Sequence, residues 1–200
     1  MVPPFTRWGE KFGWLKGRRL SLLRPEAAAV AFAGSRSDVV ALHLVRSRPG
    51  GKMVTVLFLT PDPTPPEISV YFEELQVRWS LSFLTVPVRT TACASQMLCT
   101  FDGAAAAVSA ACTRGCDTII TGWRRAELNG LALLKVRAEK SLARVTWLDP
   151  IWHYGDREVA RYIDRFQLPV CSLHRKISTA AEDLQSKKDL MERMRGLGYL

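Results

Sequence analysis

Long apolar runs are missing from this sequence. The longest, Ala27 to Ala33, falls far short of the about 20 residues that a membrane-spanning helix needs, so no membrane association is expected. The opening Met-Val-Pro-Pro is followed by aromatics mixed with charges. It lacks the basic start, apolar middle and small-residue cleavage site of a secretory signal, and a cytoplasmic protein is the expectation. Paired cysteines are also missing: Cys93, Cys99, Cys112, Cys116 and Cys171 form no C-x-x-C motif. Cys112 and Cys116 lie four apart in a helical pattern and would share a face there. A metal site needs further ligands at suitable spacing, and His43, His153 and His174 lie elsewhere in the sequence. Small buried hydrophobes in a reducing compartment are the expected role of the cysteines. No internal repeat of about 20–50 residues marks a solenoid or propeller.

Negative charge is in short supply. Nineteen acidic residues face 28 basic ones, a net charge of +9, which suits an anionic partner, either a phosphorylated small molecule or a nucleic acid. A merely solvated surface is the alternative. The excess is local: Arg7, Lys11, Lys16, Arg18, Arg19 and Arg24 oppose only Glu10, and a second basic stretch runs from Arg124 to Arg144. Residues 1–24 read as a basic and aromatic N-terminal extension, with Trp8, Phe12 and Trp14 among the cations. Such an extension suits docking to a protein partner or to a second copy of the chain.

From Pro25 onward the composition is that of one ordinary globular domain, 48% apolar across the whole chain, long enough to bury a core. Ala29 to Ala33 has strand length and is stopped by Gly34 and a polar group. Val39, Val40, Leu42, Leu44 and Val45 follow at helical spacing. Val54 to Leu59 is a wholly β-rich run of the kind buried on both faces. The pattern then predicts a helix over 67–79, a strand over 81–88, a helix over 104–113 ended by Gly115 and a short strand over 118–121. Strand and helix alternating at this rhythm predict a three-layer α/β, Rossmann-like domain over 25–176, with a mostly parallel sheet and helices on both faces. An amphipathic helix over 156–166 and a charged C-terminal helical segment over 177–200 complete the chain.

Ligands of open α/β sheets bind beyond the carboxyl ends of the strands. At the first such end stand Ala33, Gly34, Ser35, Arg36, Ser37 and Asp38: a glycine turn, hydroxyls, a guanidinium and a helix start, together a plausible phosphate cradle and equally an ordinary helix cap. At the fourth strand stand Gly122, Arg124 and Arg125, where two arginines beyond a glycine can hold phosphate or sulfate, or form a solvated basic loop. If both strands are parallel, the two loops converge. Trp152, His153 and Tyr154 could stack on a base, or Trp152 could be core while Asp156 caps the next helix.

Four of these segments, in order, resemble the phosphoadenylyl-sulfate (PAPS) reductase family of the adenine-nucleotide α-hydrolase-like group. Val30 to Leu44 is similar to its pyrophosphate loop and first helix, Leu57 to Glu67 to its second strand and following turn, Ile120 to Glu127 to its Thr-Gly-x-Arg segment, and Pro150 to Pro169 to its Pro-Leu-x-x-Trp…Leu-Pro segment. The resemblance implies an adenine nucleotide as ligand (ATP, adenylyl sulfate or PAPS), magnesium accompanying it, and α–β phosphate cleavage or adenylyl transfer as reaction. It also allows a catalytically inactive member acting as partner subunit or regulator. The departures bear on this choice. Ala33 and Ser35 replace a serine and a glycine of the family loop, and Ser37-Asp38 reverses its Asp-Ser pair. One position along a helix is a turn of about 100°, so Asp38 either points away from a ligand or sets a negative charge beside it. The reductases use a cysteine in the C-terminal segment, whereas this chain has none beyond Cys171, which argues against thiol reduction of a sulfonucleotide.

Overall fold

A computed structural model describes residues 23–89, 101–125 and 145–172. Most of the basic extension, the second basic stretch and the C-terminal segment read as a helix lie outside the described residues. The elements in order are β1 (Ala28–Phe32), α1 (Arg36–Arg46), β2 (Thr55–Pro61), α2 (Pro66–Trp79), β3 (Phe83–Val88), α3 (Phe101–Thr113), β4 (Thr118–Ile120), β5 (Thr146–Leu148) and α4 (Asp156–Phe166). The strands form one sheet in the order β3-β2-β1-β4-β5, and every pairing is parallel.

β1 lies at the centre and shows why the fold closes around it. All five of its residues are buried, and side chains alternate between the two faces of the sheet. Ala28, Val30 and Phe32 face a core shared with α1, α2 and α4, where they meet Val39, Leu42, Tyr71, Phe72, Val159 and Ile163. Ala29 and Ala31 face the other way, toward Ala104, Ala107 and Ala111 of α3. Small residues on both sides of that interface let the helix approach closely, while the bulky aromatics fill the opposite layer. Phe32 packs against the rings of Phe58, Tyr71 and Phe72, and burial of one such side chain is worth about 1.5–3 kcal/mol.

The structure departs from the sequence reading at several places. The parallel sheet is as expected, but it has a fifth strand, Thr146–Leu148, with one exposed and two half-buried residues and so no readable periodicity. β4 stops at Ile120, one residue earlier than its apolar pattern predicts, and β3 starts at Phe83 rather than Leu81. Cys116 does not share a helical face with Cys112: α3 ends at Thr113, and Gly115 takes a φ of +71°, which turns the chain away. Cys116 and Cys171 are buried, whereas Cys112 is exposed. Asp156 is not the cap of α4 but its first residue, the cap position being Gly155. No helix among the described residues is long and apolar enough to cross a membrane.

Candidate functional site

The strand order reverses between β1 and β4. The chain builds outward from β1 through β2 and β3, then returns to the other side of β1 for β4 and β5. In open α/β sheets this switch opens a crevice at the carboxyl ends of the two central strands. The loops leaving β1 and β4 flank it.

The first loop turns at Gly34, whose φ of +89° favours glycine; a side chain there would only touch Phe72 and Tyr71 at 3.5 and 3.7 Å, so conformation rather than space makes the demand. Ser35 caps α1, its Oγ accepting from the Asp38 amide at 3.1 Å. Asp38 answers: its Oδ2 accepts from the amides of Ala33 and Ser35, both at 3.1 Å. Asp38 therefore neither points away from the loop nor stands free beside a ligand. Its carboxylate folds back and fills two donors of the expected phosphate cradle. The physical cause is the reciprocal cap that a hydroxyl at the helix start and an acid three residues later form, and the Ser35-x-x-Asp38 spacing carries that signal in the sequence. Ser35, Ser37 and Asp38 are buried, while Arg36 is half-buried.

The second loop presses against the first. A β-carbon at Gly122 would stand 2.5 Å from the Asp38 nitrogen, 2.5 Å from Asp38 Oδ1 and 2.6 Å from the Ser37 carbonyl carbon. Only glycine permits this approach. Next to it, Thr121 Oγ1 donates to Asp149 Oδ1 at 2.6 Å and accepts from the Trp123 amide at 3.3 Å, and the rings of Trp123 and Trp147 stack 5.3 Å apart. The Arg125 amide donates to the Trp152 carbonyl at 2.8 Å. These bonds tie the β4 exit to the β5 exit.

The structure thus brings Ala33, Gly34, Ser35, Arg36, Ser37, Asp38 and Gly122 to one place. Arg124 and Arg125 part company: Arg124 is buried and donates from Nη1 to Asp156 Oδ1 at 2.8 Å, while Arg125 is exposed. Trp152 is half-buried against the α3-side core, and His153 is exposed. The sequence reading missed Asp149, the role of Asp156 as ion-pair partner, and Tyr71. The last lies beside Gly34, donates its hydroxyl to the Pro169 carbonyl at 3.1 Å, and has its phenol pushed well above the ordinary range by burial, with Cys171, Asp38 and Glu74 adding to the shift. Among the described residues no group of three or more His, Cys, Asp or Glu is placed to hold a metal ion.

Compared with known families, residues 27–180 match the model of the phosphoadenosine phosphosulfate reductase domain. No curated protein matches the chain by sequence. Solved structures do match it by fold. Phosphoadenylyl-sulfate (PAPS) reductase from Candida auris, in a phosphate complex, is similar at a TM-score of 0.52 and 13% identity, over 78% of this chain and 86% of that one. FMN adenylyltransferase from Candida glabrata, in complex with ATP, is similar at 0.59 and 16%, over 80% of this chain but only 54% of that one. The U34-tRNA thiolase NcsA from Methanococcus maripaludis, with its [4Fe-4S] cluster, is similar at 0.55 and 12%, over 86% and 72% respectively. At such identities the likeness is one of fold.

Proposed function

The chain belongs to the phosphoadenosine phosphosulfate reductase domain family, and from that premise we propose that it binds an adenine nucleotide in the crevice between the β1 and β4 exit loops. The observation that carries this reading is the contact of Gly122 with Ser37 and Asp38, which sets both loops side by side at the switch point of a parallel sheet. Arg36 follows Ser35 on the first loop, and Arg124 and Arg125 follow Gly122 on the second, so both loops carry cationic residues that suit an anionic ligand. Similar folds include an FMN adenylyltransferase solved with ATP and a PAPS reductase solved with phosphate, which supports a phosphorylated ligand.

Cleavage between the α and β phosphates, or adenylyl transfer, is the reaction that suits such a crevice. It proceeds by positioning and charge stabilisation and needs no protein nucleophile. The buried thiol of Cys171 offers none. Asp38, the carboxylate of the first loop, is engaged by loop amides and is not offered to a metal ion. Magnesium would enter on the phosphates of the nucleotide. That same engagement favours a second reading, a member that keeps the nucleotide fold without turnover and serves as a partner subunit or regulator.

Calorimetric titration with ATP, adenylyl sulfate and PAPS, each with and without magnesium, tests the first reading. Micromolar binding of one of them is expected, followed by an assay for pyrophosphate release. Binding without release selects the non-catalytic reading, and absence of binding by all three removes the crevice as a nucleotide site.

A further inference from the structure

Arg124 and Asp156 form a lopsided ion pair. Their atoms lie 2.8 Å apart, yet the arginine side chain is 8% exposed and the aspartate side chain 89%. A guanidinium withdrawn from water is costly without an anion beside it, whereas a carboxylate already in water gives up a surface pair at little cost. The pair therefore has a fixed member and a replaceable one. Releasing Asp156 removes no cap from α4, because the cap position is Gly155, whose amide donates to Glu158 Oε2 at 2.7 Å. Asp38 is the opposite case: it is buried and bonded to two amides, so its departure would open the β1 loop.

Resting on the reading of the crevice as an anion site, we propose that Asp156 is a resident counter-ion on Arg124, and that a tetrahedral oxyanion of the ligand, phosphate or sulfate, enters by exchanging with it while Asp38 stays in place. The ligand is then gripped through one anionic group at Arg124 rather than by a phosphate chain wrapped in the Gly34 turn.

The test titrates the full chain and its Asp156→Asn variant with pyrophosphate and, separately, with ATP. Removing the competing charge is expected to tighten pyrophosphate binding about threefold, an equilibrium shift of about 0.6 kcal/mol. Asp156→Ser should shift it in the same direction, and Arg124→Gln added to Asp156→Asn should abolish the gain. No tightening in either Asp156 variant, or a gain that survives loss of Arg124, overturns the exchange. If the wild-type chain binds ATP in that case, the nucleotide reading stands without it. A gain for pyrophosphate with no ATP binding by any variant leaves the exchange standing and removes the nucleotide. No binding of either ligand by any of the proteins overturns both.

Discussion

A methyl group added at Gly122 would meet the backbone nitrogen of Asp38 at 2.5 Å, and a backbone atom in the first turn of a helix cannot swing aside as a lysine tip does. Gly122→Ala must push the two loops apart. A stability loss of about 1–3 kcal/mol, read from urea unfolding, should come with weaker ATP binding, because the same contact defines the crevice. Asp38→Asn probes the neighbouring feature. It removes the charge behind two amide bonds while keeping the shape, and bonds to charged groups are worth about 1.5–3 kcal/mol each at most. A loss within that range is expected in the same urea experiment, and an unchanged midpoint would mean that the loop does not depend on the carboxylate. The sequence made part of this legible. Two parallel strand ends with glycines imply convergence, and Ser35 three residues before Asp38 implies a reciprocal cap. The pairing of Arg124 with Asp156 was not legible, because the two lie 32 residues apart and meet only once the β5 exit is folded against β4.

Between elements, α1 and α4 meet through an aromatic cluster around His43. Its Nδ1 lies 3.0 Å from the Tyr162 hydroxyl, and its ring packs against Trp79, Tyr162 and Phe166. Burial pushes the imidazole below its ordinary value, so the folded state resists a proton that the unfolded chain accepts. The sign follows from linkage. Above the unfolded value of about 6.5 both states are neutral and His43 gives no pH dependence. As pH falls below that value the unfolded chain binds the proton first, and stability declines until the folded-state value is reached. Urea unfolding of wild type and His43→Gln across pH 7.5 to about 5 should show this decline in the wild type and a shallower one in the variant. Equal slopes would assign the acid sensitivity elsewhere. The helices were legible because their apolar residues recur at helical spacing, and α4 matches its sequence pattern at both ends. β5 was not. Its three residues gain strand character only from the register Ile119 to Trp147, a tertiary pairing that leaves no local trace.

At the scale of the molecule, the crevice is made by loops from opposite halves of one sheet, so a ligand that bridges them binds the folded chain alone. Such a ligand stabilises the fold by mass action, about 2.7 kcal/mol at a hundred times its dissociation constant. For a chain of this size each kcal/mol moves the thermal midpoint by about 2–4 °C, so saturating ATP should raise it by about 5–11 °C. The net charge of +9 provides the control, because it attracts any polyanion without a pocket. Binding that rests on many phosphate contacts loses affinity steeply with salt, with a slope close to 0.9 per phosphate neutralised on duplex DNA, while a nucleotide held by a buried arginine is screened less. The ATP-dependent shift should therefore survive from about 0.05 to 0.2 M salt, a range over which multi-phosphate binding falls by about 10³ or more. A shift that vanishes over that range, with duplex DNA producing the larger effect at low salt, would transfer the function from the crevice to the basic surface.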